Sequence, residues 1–119
     1  MKHLLLLGLA LSLFTFTSCD DDEVVCTAEF VEIAFTVDGS PAPDEVTATA
    51  TGQSATVLTP TNGRYVLVDD GDREALEGSE VTYTVEGTTG STVLFSETFV
   101  VTADACHVSK VSGPAEINY

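Results

Sequence analysis

The sequence predicts an all-β protein, a single antiparallel β-sandwich of about seven short strands. Apolar and polar residues alternate with period two in run after run, the pattern of strands that bury one face. Turn residues separate the runs at intervals of about 8–12 residues, the spacing expected of two packed sheets. Helical character is confined to Asp72 to Leu76, little more than one turn. No internal repeat or low-complexity domain breaks the pattern.

Each element follows from its residues. Val31, Ile33, Phe35 and Val37 alternate with Glu32, Ala34 and Thr36 and make the first strand. Asp38-Gly39-Ser40-Pro41-Ala42-Pro43 is turn chemistry, since its prolines cannot donate to a ladder. Val46, Ala48 and Ala50 alternate with Thr47, Thr49 and Thr51 in a second strand, and Gly52 to Ser54 turns the chain. Thr56 to Thr59 makes a short third strand. Asn62-Gly63 signals a tight turn before Tyr65 to Val68. Val81, Tyr83 and Val85 mark the next strand, and Gly87 to Gly90 a loose hairpin loop. Val93 to Val101 follows, with its apolar phase interrupted at Glu97, which predicts a bulge or an edge position there. Cys106 to Val111 gives the last main strand, and Ile117 a short addition. Phe30, Phe35, Tyr65, Leu67, Tyr83, Phe95 and Phe99 are the expected core.

The first residues follow different rules. Lys2 precedes an apolar run from Leu4 to Phe16, and the small residues Thr17 and Ser18 stand before Cys19. Charge, apolar stretch and small-residue exit, in that order, define a cleavable export signal. The run is shorter than the roughly 20 residues that a membrane-spanning helix needs. Phe16-Thr17-Ser18-Cys19 resembles a bacterial lipobox, with Phe16 where an aliphatic residue is most common. The resemblance implies cleavage before Cys19 and its acylation. Residues 1–18 are then a lipoprotein signal peptide, 19–25 an acidic tether and 26–119 the sandwich domain. The run Asp20, Asp21, Asp22 and Glu23 repels itself into an extended spacer. It also resembles the acidic surface-export signal of lipoproteins from Bacteroidota-type bacteria. That implies a lipid-anchored protein of the outer membrane facing the cell exterior; as a plain spacer, the run leaves the periplasmic face open.

All 19 acidic residues lie after Cys19 and face only Arg64, Arg73 and Lys110, so the mature chain carries a net charge of −16 against −15 for the precursor. A body so acidic repels phosphate backbones, which excludes nucleic acid as a partner. Its membrane partnership runs through the lipid on Cys19. With Cys19 assigned to lipid, Cys26 and Cys106 remain as an even pair in an oxidising compartment. A disulfide between them would close nearly the whole domain. Two free buried thiols, or two ligands of a metal site, are the alternatives.

Two further segments carry likenesses. Val37-Asp38-Gly39-Ser40-Pro41 before a Val/Thr strand, with Asn62-Gly63-Arg64-Tyr65-Val66-Leu67, resembles the carboxypeptidase regulatory-like or transthyretin-like sandwich. Cys26-Thr27-Ala28-Glu29-Phe30 and Ala105-Cys106-His107-Val108 with Ser112-Gly113 resemble a group of small Bacteroidota lipoproteins. These likenesses imply a sandwich fold and no particular activity.

Candidate chemistry is sparse. Asp69, Asp70, Asp72 and Glu74 make the densest acidic loop and are the one candidate calcium site, without EF-hand spacing. His107 is the single histidine of the mature domain and is expected to pack on, or hydrogen-bond across, the last strand, away from the bridge. There is no Gly-x-Ser-x-Gly elbow, phosphate loop or dinucleotide fingerprint. No catalytic residue and no cofactor are therefore assigned. The Thr-rich strand faces suit a partner added by strand pairing, or plain β-propensity on a wet face. The sequence thus leads to a non-catalytic surface lipoprotein, a binding or accessory module of unknown ligand. A small tethered protease inhibitor, presenting Ser40 to Asp44 or Gly87 to Gly90, and a passive surface-coat component are the alternatives.

Overall fold

The computed structural model describes residues 24–119. Cys19, the Asp20 to Glu23 run and the segment 1–18 expected to be a signal peptide lie outside the described residues. Eight strands form two sheets: β1 (Glu32–Asp38), β2 (Glu45–Ala50), β3 (Thr56–Leu58), β4 (Arg64–Asp69), β5 (Val81–Thr89), β6 (Thr92–Ala103), β7 (Val108–Ser112) and β8 (Glu116–Asn118). One sheet has the order β4-β1-β8 and the other β3-β2-β5-β6-β7. The eighth strand is the short addition at Ile117. It lies parallel to β1, with Ile117 opposite Val37, while the other ladders are antiparallel. The all-β sandwich is thus the observed architecture.

Phe35, Phe99, Val85, Val101, Val46 and Ile117 are fully buried between the sheets. Phe35 stacks on Tyr65 at 5.3 Å and meets Phe99 at 5.2 Å, so one aromatic column joins β4, β1 and β6. Leu67 and Phe95 are also buried, whereas Tyr65 and Tyr83 are half-buried at the margin of the core. The expectation for Phe30 fails: it is 63 % exposed. The β1 ladder starts only at Glu32, just after Val31, whose amide and carbonyl are both bonded to Asp70, so Phe30 belongs to the arm before the sheet.

The turns explain the other departures. Asn62 and Gly63 have φ of 52° and 74°, as the tight Asn-Gly turn requires, and Thr61 and Arg64 exchange both backbone hydrogen bonds across it. The expected Gly87 to Gly90 loop is instead strand. β5 continues to Thr89, and only Gly90 and Ser91 turn the chain. Gly87 sits opposite Phe95, whose ring occupies the space a Cβ would need. At Glu97 there is no bulge: it pairs in register with Val85. The bulges fall at Ile33/Ala34, Gly87/Thr88 and Val100/Val101. Yet β7 covers β6 only from Val100 to Ala103, so Glu97 does lie on an uncovered edge.

Registers fix which turns share an end. Glu32 faces Asp69, Val81 faces Val101, and Ala103 faces Val108, so these termini gather at one pole. The turns 39–44, 59–63 and 90–91 gather at the other.

Candidate functional site

The densest chemistry sits at the first pole, where the N-terminal arm joins the sandwich. Cys26 and Cys106 are bonded, with Cα atoms 5.2 Å apart. Of the open alternatives for these two cysteines, the disulfide is the one present. The bridge brings the residues that follow each cysteine together. His107 Nε2 lies 2.9 Å from Thr27 Oγ1, and His107 Nδ1 lies 2.7 Å from Asp70 Oδ2. His107 therefore turns toward the bridged arm rather than away from it. Strand alternation does not govern it, because β7 begins only at Val108. Asp104 Oδ1 accepts the amides of Cys106 at 2.7 Å and His107 at 2.8 Å, folding 104–107 into a side-chain-capped turn.

Asp70 is the hub. Its Oδ2 also accepts the Val31 amide at 2.8 Å, and its Oδ1 accepts the Val108 amide at 2.9 Å. One carboxylate thus ties Val31, just before β1, and Val108, the first residue of β7, to the imidazole, and the two strands belong to different sheets. The Asp70 side chain is 11 % exposed and that of His107 22 %. Burial opposes ionisation of Asp70, but the Val31 amide, His107 and the Val108 amide outweigh it together and hold the carboxyl below its ordinary value. The two amides on Asp104 lower its carboxyl likewise. A carboxylate only accepts, so Nδ1 carries the proton, and in the neutral ring Nε2 accepts the Thr27 hydroxyl.

The other acids of this loop are occupied differently. Asp69 Oδ1 accepts the Gly71 amide at 2.7 Å and Asp72 Oδ2 accepts the Asp69 amide at 3.0 Å, a reciprocal cap on the turn Asp70–Asp72. The short helix Arg73–Leu76 follows. Glu74 points outward near Arg73, and Arg73 donates to the Ala105 carbonyl at 2.9 Å. Asp69, Asp70, Asp72 and Glu74 thus diverge toward separate partners. Among the described residues, no three His, Cys, Asp or Glu side chains are grouped to hold a metal ion.

Thr27, His107 and Asp70 stand in the order of a hydroxyl, base and orienting acid. Their contacts also join the arm to the sandwich. The amides of Cys106 and His107, which adjoin the relay, donate to Asp104. Neither the cavity beside Val31 and Val108 nor the one beside Ala48 and Tyr83 is lined by Thr27 or His107. The relay fastens the arm to the sandwich. One signal for it was present in the sequence: once Cys26 and Cys106 are joined, Thr27 and His107 must be neighbours. Nothing in the sequence singled out Asp70 from the other acids of its loop.

The opposite pole is fastened more lightly. The turn 39–44 is held where the Tyr119 hydroxyl donates to the Pro41 carbonyl, Thr89 Oγ1 donates to the Ala42 carbonyl at 3.5 Å, and the Asp44 amide donates to Thr88 O at 2.9 Å.

No protein-family model matches the chain, and no characterised protein or solved structure is significantly similar to it.

Proposed function

We propose that the protein is a lipid-anchored module of the outer membrane, facing the cell exterior, that binds a partner without catalysis. The opposition of the two poles carries this reading. The chain runs from the sandwich toward Cys19 through Thr27 and Cys26, at the bolted pole. The turns 39–44, 59–63 and 90–91 open at the other. Acyl chains on Cys19 would keep the bolted pole at the membrane and present the turns outward, and stable anchoring takes more than one chain. The acidic run after Cys19 is the export address in this reading. The commitment of Asp70, His107 and Thr27 to the arm favours binding over catalysis.

Protease shaving and surface labelling of intact cells test the placement, with labelling of the wild-type chain and loss of it in a variant with Asp20 to Glu23 replaced by serine. Affinity capture from the native envelope tests the binding. The wild-type chain should retain a partner that is lost when residues 39–44 are replaced by a Gly-Ser linker. Equal or absent retention would leave a passive coat component. A second reading, the tethered protease inhibitor, is favoured by the three hydrogen bonds that stiffen the exposed turn 39–44. A panel of proteases with unchanged rates in excess protein would remove it.

A further inference from the structure

A cavity of about 210 Å³ opens on the seam between the two sheets, where β3 and β4 face each other without pairing. It exists because β2 turns alanines inward. Ala48 and Ala50 lie across from Val85 and Tyr83 in the ladder, and their small side chains leave a space that larger residues fill elsewhere. Leu58, Leu67 and Val68 complete an apolar floor, while Gln53, Ser54, Thr56, Asp72 and Tyr83 give the lining its polar groups, of which only Asp72 carries a charge.

We propose that this cavity is a binding site for a small amphipathic cation, a primary ammonium on a short apolar body. The volume is below the ~300–1,000 Å³ of pockets for drug-sized molecules, which limits the occupant to a short chain. The floor supplies apolar contact only. The polar groups select charge. Asp72 accepts a single amide hydrogen bond, from Asp69, and no cation pairs with it among the described residues. The half-buried Tyr83 ring stands in the same lining, and an aromatic ring attracts a cation. An ammonium can meet the Asp72 carboxylate and the Tyr83 ring at once. An anion would meet repulsion from Asp72, and a neutral head would forgo its attraction. The net charge of the mature chain adds a long-range attraction for cations.

The test is methyl NMR on the mature chain in detergent micelles, with n-butylammonium, n-butanol and butyrate as probes of one length and three charges. Saturable shifts of the Ala48 and Ala50 methyls are expected with butylammonium. Butanol should bind a few-fold more weakly, the worth of an ion pair to an exposed carboxylate, and butyrate not at all. Asp72→Asn should lower butylammonium affinity by the same few-fold factor, to the level of the alcohol. Alanine methyls that do not move, or equal affinity for the cation and the alcohol, would overturn the proposal. That comparison uses the wild-type chain, so it stands even if Asp72→Asn disturbs the turn it caps.

Discussion

At the pole where β1 begins, a disulfide and one carboxylate gather the arm, both sheets and the 104–107 turn. At the pole where β1 ends, the turns are held by hydrogen bonds alone, and β6 runs on from Thr92 to Phe99 with no β7 beside it. The difference teaches where this sandwich can yield. Force or acid applied at the first pole acts on the whole fold, because the connections there span the sequence. Changes at the second pole stay local, which is what a presenting surface requires.

Opening the bridge should have the largest effect. A Cys26→Ser, Cys106→Ser variant loses a cross-link between residues 80 apart, a loss worth about 2–5 kcal/mol in a small exported domain. Thermal unfolding should show a large fall in Tm. Amide exchange should rise first in 24–31 and 104–108, with the turn 39–44 little changed. Equal loosening at both poles would erase the contrast.

Asp70→Asn comes next. It keeps the shape but replaces an acceptor-only group that serves two amides and His107. Tm should fall by several degrees, less than for the opened bridge. The pH dependence sharpens the test. The folded-state carboxyls of Asp70 and Asp104 lie below the ordinary value of 3.8. Their contribution is therefore complete above that value and is lost as pH falls through the lowered folded values. Wild-type stability should drop on acidification below pH 4, and the drop should be shallower in Asp70→Asn. Identical slopes in the two proteins would show that Asp70 gains nothing from its partners.

How much of this was legible in the sequence divides along the same line. The sandwich, the Asn62-Gly63 turn and the Cys26–Cys106 bridge were legible, because alternation, turn chemistry and cysteine parity are local signals. Ile33 and Phe35 point inward as their spacing requires. What was hidden depends on three-dimensional neighbours. Val68 is buried alongside Leu67 because the Ile33/Ala34 irregularity shifts the β1–β4 register. Gly87 looked like loop because the Phe95 ring that uses its missing side chain comes from the next strand. Asp70 had no mark of its own among five acids between Asp69 and Glu77, yet it alone reaches both sheets. The partner that the distal turns would meet leaves no trace in a single chain.

Glu97 tests the open edge. It shares the inward face of β6 with Phe95 and Phe99 and sits where β7 no longer covers the strand. An inward-facing charge at a free edge opposes pairing with another copy, since association would strip water from the carboxylate. Val93, on the same uncovered stretch, is 54 % exposed and would otherwise assist such pairing. Glu97→Val should leave Tm close to wild type or slightly higher. In sedimentation velocity it should shift the protein toward concentration-dependent association. If the variant sedimented like wild type at all concentrations, the edge would be protected by something other than this charge.

The smallest effect is expected from Tyr119→Phe. The Tyr119 hydroxyl donates to the Pro41 carbonyl, its ring lies 5.4 Å from that of Phe95, and a Cβ on Gly39 would come within 2.5 Å of it. Removing the hydroxyl keeps the ring packing and deletes one exposed hydrogen bond, worth about 0.5–1.5 kcal/mol. Tm should therefore move little. Amide exchange in 39–44 should rise while 24–31 and 104–108 keep wild-type protection, the mirror image of the opened bridge. Gly39→Ala separates the hydroxyl from the packing. Its Cβ must displace the ring, so that variant should loosen the turn more than Tyr119→Phe does. If both variants loosened the bolted pole as well, the two ends would share one cooperative unit, and the distal turns could not adjust to a partner while the arm stays fastened.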